Sequence, residues 1–141
     1  MERDVPSDLR IHHVGIVVDD LRESIAFMRD VLGLEAEDVL DLGPGQVAWV
    51  RCGTVMLELL QYSDPARRRE RLGDAPAVIE HIAFHTDDAD ATYAELAAKG
   101  VTFEGPPRVW KDRKSFFTKP ESCDGVMYQF REPITDPAES K

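Results

Sequence analysis

Ile11–Leu34 reads IHHVGIVVDDLRESIAFMRDVLGL, and Ile79–Val101 reads IEHIAFHTDDADATYAELAAKGV. The second stretch repeats the first. His13 and His81, Asp19 and Asp87, Asp20 and Asp88, and Leu21 and Ala89 share one offset: position 81 less position 13 is 68. Self-similarity at a fixed offset constrains the whole fold before any local propensity does. Within each copy the apolar residues first alternate, as in a half-buried strand, and then recur at helical spacing. In the first copy Ile11, His13, Gly15 and Val17 share a strand face, while Leu21, Ile25, Met28 and Leu32 share a helix face. In the second, Ile79, His81, Ala83 and His85 share the strand face, and Ala89, Tyr93, Leu96 and Gly100 take the helical positions. Each copy therefore sets a histidine at an inward strand position beside a small residue.

The chain has 141 residues, 43% hydrophobic and 31% charged. That composition suits one compact domain with a sizeable core. A formal net charge of -10 argues against nucleic acid or an anionic membrane surface as a partner, because the long-range field repels phosphate. No apolar run approaches the roughly 20 residues of a membrane helix. The opening MERDVPSDLR lacks the apolar segment of a signal peptide, so a cytoplasmic location is expected. Cys52 and Cys123 have no CxxC spacing and no sign of pairing, and they read as reduced thiols with no required role.

Residues 1–9 are polar, contain Pro6, and read as a flexible arm. The first strand is expected from about Ile11 to Val18, with Asp19 or Asp20 as N-cap of a helix that stops near Gly33. Leu34–Leu42 is consistent with a strand, Gly43-Pro44-Gly45 enforces a turn, and Gln46–Cys52 and Val55–Gln61 follow as strands around Gly53-Thr54. Module one (residues 10–62) thus reads strand, helix, then three strands. A connector (63–78) holds Asp64-Pro65, a start for a short helix carrying Arg67, Arg68, Arg69 and Arg71. Module two (79–132) follows in the same order, through Val101–Glu104, Gly105-Pro106-Pro107, Arg113–Lys119 and Val126–Arg131. Lys111, Asp112, Arg113 and Lys114 form a polar loop, read either as exposed linker or as a substrate lid. The tail (133–141) has too little apolar content to pack and is expected to be flexible.

The last strand of each module carries a polar residue inside an apolar alternation: Glu58 in VMLELLQ and Gln129 in VMYQFR. Their separation, 129 less 58, is 71, which makes them repeat equivalents with a three-residue insertion between. Two modules then each offer one histidine and one oxygen donor. Taken singly, a strand histidine or a strand glutamine is an ordinary hydrogen-bonded core group. Together they point to a shared metal site. Burying Glu58 without a partner is costly, and a cation held by two neutral imidazoles and a carboxylate removes that cost. Nitrogen and oxygen donors without thiolate suit Mn, Co, Ni, Zn, Fe or Mg.

The segments IHHVGIVVDDLRESIAFMRDVLGLE, MLELLQ, IEHIAFHTDDADATYAELAAKGV and KPESCDGVMYQF resemble the vicinal oxygen chelate superfamily, which includes glyoxalase I, methylmalonyl-CoA epimerase, extradiol dioxygenases and metal-free bleomycin-resistance proteins. The resemblance covers nearly all of residues 11–131. It implies an α+β fold in which two βαβββ modules form a curved half-barrel sheet around a divalent metal, with ligands on the first and last strand of each module. Those ligand positions fall on His13, Glu58, His81 and Gln129. The likeness is greatest to the methylmalonyl-CoA epimerase branch, through HHVGI, MLELL, EHIAF and the KPES segment. That branch has a glutamate, both ligand and catalytic base, where this chain has Gln129. Its second catalytic glutamate has no match in Gln46–Val50.

What this implies is a metal-dependent epimerase or isomerase working next to a carbonyl, on an acyl-CoA or a small keto or cyclitol compound. The metal acts as Lewis acid and stabilises the enolate, and Glu58 takes the proton. His85 is the candidate for the second acid or base. Four residues along a strand, roughly 13 Å, set it too far from His81 to share its metal. His12 points to the opposite face and is read as structural. Arg67, Arg68, Arg71, Lys111, Arg113 and Lys114 are candidates for steering a phosphorylated substrate. The alternatives are a glyoxalase I-like lactoylglutathione lyase, a metal-free drug- or metabolite-binding resistance protein, and a non-haem iron dioxygenase. The partner expected is a small molecule, and a homodimer is expected because family half-barrels commonly pair between chains and cover their sheet edges.

Overall fold

Asp20 and Asp88 turn strand into helix in the same way, and the two corners they make set out the architecture. The computed structural model describes residues 9–134. The first module runs β1 (Arg10–Val18), α1 (Leu21–Phe27), β2 (Leu40–Asp41), β3 (Gly45–Cys52) and β4 (Val55–Tyr62). After α2 (Pro65–Leu72), the second runs β5 (Ala77–His85), α3 (Ala89–Ala98), β6 (Arg108–Trp110), β7 (Arg113–Phe117) and β8 (Met127–Pro133). The expected βαβββ order is present twice, and the fold class is α+β. Among the described residues no helix is long and apolar enough to cross a membrane.

At each corner the cap carboxylate accepts an amide of the first helical turn: Asp20 from Glu23, and Asp88 from Ala91. That satisfies one of the orphan amides every helix start exposes. The amide of the first helical residue is held from the last strand of its module, Leu21 by the Gln61 side chain at 2.7 Å and Ala89 by Glu132 at 2.9 Å. Helix and sheet are thus fixed to each other by a short-range cap and a long-range bond.

By their contacts the described residues fall into two units, 13–80 and 81–134 with 9–12. In the first, strands lie in the order β2-β3-β4-β1. β1 runs parallel to β4, and the other pairs are antiparallel. Val18, Leu21, Met28, Ala48, Val50 and Leu59 make its core between α1 and the sheet. Val17, Tyr62 and Leu72 make a second cluster under α2. In the other unit the order is β5-β8-β7-β6, again with the first and last strands parallel. Its core packs Ala89 of α3 on Phe116 and Phe130, whose rings stack 5.2 Å apart.

Three expectations need correction. Leu32, expected on the buried helix face, is 51% exposed. After Phe27 the chain takes a π-turn over Met28–Leu32, whose wider winding rotates Leu32 outward and hands its place to Leu34. Leu34–Leu42 supplies only the two-residue β2 and an isolated bridge at Ala36. The polar segment before β7 is no irregular loop but a two-residue hairpin turn, Lys111-Asp112, with Trp110 paired to Arg113 and Lys114 already in β7. The arm and tail lie largely outside the described residues. Leu9 packs on the α3 core, and the Ile134 amide donates to the Asp112 carbonyl at 2.8 Å.

Candidate metal centre

The first unit brings two of the predicted ligands together. β1 pairs with β4 so that His13 lies opposite Met56 and Gly15 opposite Glu58. Strand alternation turns His13, Gly15 and Val17 to one face, away from the α1 core, and His13 is 2% exposed. The imidazole Nε2 lies 3.5 Å from Glu58 Oε1, and the Glu58 side chain is 15% exposed. On the other side of Glu58 its direct partner in β3 is Trp49. Trp49 sits edge-on to the His13 ring, with centroids 4.9 Å apart and planes at 80°.

The second unit repeats this arrangement with one change of chemistry. His81 lies opposite Met127 and Ala83 opposite Gln129, the register seen for His13 and Glu58. His81 is 3% and Gln129 7% exposed. Phe117 pairs with Gln129 across β7 and β8, and its ring meets the His81 ring at 5.5 Å and 88°. Trp49 and Phe117 are again 68 positions apart, 117 less 49. Since that offset holds as far as Phe117, the extra three residues before Gln129 belong to the β7–β8 connection, where a 3₁₀ turn, Pro120–Ser122, stands in place of the Gly53-Thr54 turn. Sequence reading missed these two aromatics. The signal was available, since the offset that pairs the histidines also pairs them.

Each unit pairs an imidazole nitrogen with an oxygen donor, a carboxylate in one and an amide in the other, and such borderline-to-hard donors without thiolate are of the kind that suits a divalent cation. Ligands bound at about 2.0–2.2 Å with angles between right and tetrahedral lie about 2.8–3.6 Å apart. The 3.5 Å between His13 Nε2 and Glu58 Oε1 lies within that range.

His85 lies opposite Arg131 in the β5–β8 pairing, and its Nε2 is 3.0 Å from Asp87 Oδ1. It stands at the end of β5, four residues beyond His81. His12 contacts Arg131 Nη1 through its ring, 3.1 Å from Nδ1, a structural placement. The cations considered for steering are engaged within their own units. Arg68 meets Asp19 at 3.3 Å, Arg71 meets Glu80 at 3.3 Å, and Arg67 lies over the Tyr62 ring at 4.7 Å. Lys111 and Arg113 flank Trp110, and Lys114 pairs with Asp90. The Tyr62 hydroxyl donates to Glu80 at 2.9 Å. Burial, reinforced by the Glu80 charge, pushes its pKa up to about 12.

The model of the glyoxalase/bleomycin resistance protein/dioxygenase superfamily matches residues 10–137. The chain belongs to that superfamily. Within it, the chain is 30% identical over 128 residues to the 2-epi-5-epi-valiolone epimerase of an Actinomyces species, covering 78% of this chain and 70% of the relative. It is 26% identical over 129 residues to the mitochondrial methylmalonyl-CoA epimerase of Mus musculus, covering 87% and 72%. Among solved structures, a variant of Streptomyces coelicolor methylmalonyl-CoA epimerase in complex with 2-nitronate-propionyl-CoA superposes with a TM-score of 0.78 at 26% identity, covering 89% of this chain and 95% of the other. All three are named epimerases, and two of them are methylmalonyl-CoA epimerases.

Proposed function

We propose that this chain is a metal-dependent epimerase or isomerase that removes a proton from a carbon next to a carbonyl, with His13, Glu58, His81 and Gln129 as the ligands of one divalent cation. The observation that carries this reading is the shared register: each unit sets a buried histidine and an oxygen donor at equivalent places on its first and last strands. A structural histidine needs no such partner repeated in the same register. When bound, a divalent cation supplies Lewis-acid polarisation of a carbonyl oxygen.

The residues then divide the work. Glu58 is the carboxylate of the set, and it takes the proton from the carbon next to the carbonyl. Gln129, an amide, has no basic form and serves as ligand or substrate contact. The base in this chain therefore lies in the first module, and Glu58 returns the proton unless a second group does. His85 is the group we assign to that return. It pairs with Asp87 at the end of β5, and roughly 13 Å of strand from His81 suits a proton carrier to substrate rather than a ligand of the metal.

The substrate class is an acyl thioester or a small hydroxylated ketone, the kinds of compound carried in the names of its epimerase relatives. The engagement of Arg67, Arg68 and Arg71 within their own unit favours the smaller compound. We also propose a homodimer. β2 and β6 are sheet-edge strands that leave Leu40, Val109 and Trp110 46%, 62% and 46% exposed, and pairing with a second copy covers such edges.

Metal content of the purified protein, followed by Co, Mn, Ni, Zn and Fe titration of wild type and His81→Ala, tests the centre. One equivalent per chain, lost in the variant, is expected. Solvent deuterium incorporation into 2-methyl acyl-CoA, cyclitol-ketone and hemithioacetal substrates then tests the chemistry. Exchange at the carbon next to the carbonyl is expected with one of the first two. Turnover of the hemithioacetal alone makes the protein a lyase, and failure of wild type to bind any of these metals moves a sequestering pocket to first place.

A further inference from the structure

We propose that Trp49 and Phe117 are a repeat-related pair of positioning residues that hold the imidazoles of His13 and His81 in a fixed orientation toward a bound cation. This rests on the metal-centre reading above. Four observations meet on these two side chains. They share the 68-position offset of the histidines. Each lies directly across the ladder from the oxygen donor of its own unit, Glu58 or Gln129. Each meets its histidine ring near a right angle, at 80° and 88°. Neither belongs to the buried clusters that build the cores, although their strand neighbours Ala48, Val50 and Phe116 do.

The physical need is specific. The outer torsion of a histidine is broad and two-fold, so burial alone leaves the ring free to turn. Metal-bound histidines are usually fixed by a hydrogen bond from the second ring nitrogen. A flat neighbour held perpendicular limits the same torsion by shape, because turning the imidazole either drives its face into that neighbour or gives up the edge contact. Both aromatics are only partly buried. Strand alternation, which sends Ala48, Val50 and Phe116 into the cores, turns these two to the face that carries the ligands. The chain itself uses indole in one unit and phenyl in the other, and the proposal asks for a perpendicular ring in each rather than for one ring type.

Co(II) is the probe, read by calorimetric affinity and by the visible ligand-field spectrum, on wild type, Trp49→Leu, Trp49→Phe, Phe117→Leu and Phe117→Trp. Thermal melting without metal confirms which variants are folded. The leucine variants are expected to bind Co(II) about 10- to 100-fold more weakly, the loss typical when a group orienting a metal ligand is removed, and with an altered spectrum. The aromatic swaps are expected to stay near wild type in both. Folded leucine variants with wild-type affinity and spectrum overturn the proposal, as do aromatic swaps that lose as much as leucine. If Trp49→Leu does not fold, Phe117→Leu and the two swaps decide by the same criteria. Wild type that takes up no Co(II) overturns the metal centre itself and this inference with it, whereas binding unaffected by leucine overturns only the inference.

Discussion

Glu58 and Gln129 differ by one atom type and occupy equivalent places, so at the scale of single residues the chemistry of this chain turns on which of them can hold a proton. Glu58→Gln keeps the shape and removes the base. Deuterium exchange is expected to fall by about 10²–10⁴, the range contributed by a positioned proton acceptor, with little change in the melting temperature of the metal-free protein. Gln129→Glu adds a second anionic ligand and is expected to tighten Co(II) binding, read by the same titration. Tyr62 gives a pH prediction with a definite sign. Its pKa, about 12, lies above the value near 10 of an unfolded chain. The stability it contributes is therefore complete below pH 10 and is lost as pH rises towards 12. The difference in stability between wild type and Tyr62→Phe, followed by urea unfolding, is expected to shrink across that interval. A difference that grows there would falsify the assignment.

Elements are where pattern and packing part company. The first cap is legible to within one residue: the sequence offers Asp19 or Asp20, and Asp20 is the one that bonds, while Asp88 takes the equivalent place in the second copy. Alanine at either is expected to cost about 1 kcal/mol, measured by chemical denaturation. Gly45 was legible only as part of a turn. A Cβ there would meet the Gln61 carbonyl oxygen at 2.9 Å and Leu60 Cδ1 at 2.9 Å, where β3 and β4 pass closely. Gly45→Ala is expected to destabilise by about 1–3 kcal/mol, the usual cost of overpacking, seen as a lowered denaturation midpoint with an unchanged slope. The π-turn at Met28–Leu32 was invisible because it changes the winding without changing residue type. Helical spacing therefore predicted a buried Leu32 where the fold packs a partly buried Leu34 against the core.

For the whole molecule, a ligand that binds only the folded state raises stability by mass action. A free cation at about a hundred times its dissociation constant adds about 2.7 kcal/mol. Co(II) is expected to raise the melting temperature of wild type and leave His81→Ala unmoved, checked by scanning calorimetry. Sedimentation is expected to give twice the chain mass, and introducing lysine at Val109 on the β6 edge is expected to shift that equilibrium to monomer.

Sequence by itself determined the repeat, and with it the two βαβββ modules, the first helix cap to within one residue, and the candidate ligands His13, Glu58, His81 and Gln129. A duplicated pattern of strand and helix periodicity survives divergence because it is set by which residues must leave water. Tertiary structure decided what that pattern cannot encode. It alone set the cross-strand register that puts Glu58 opposite Gly15 and Gln129 opposite Ala83, and the edge-on rings of Trp49 and Phe117 beside the histidines. It also spent the arginines of α2 on Asp19, Glu80 and Tyr62 rather than leaving them free for a ligand. These are long-range pairings. They are fixed by how strands align and side chains fill space, and the order of residues along the chain carries no measure of that.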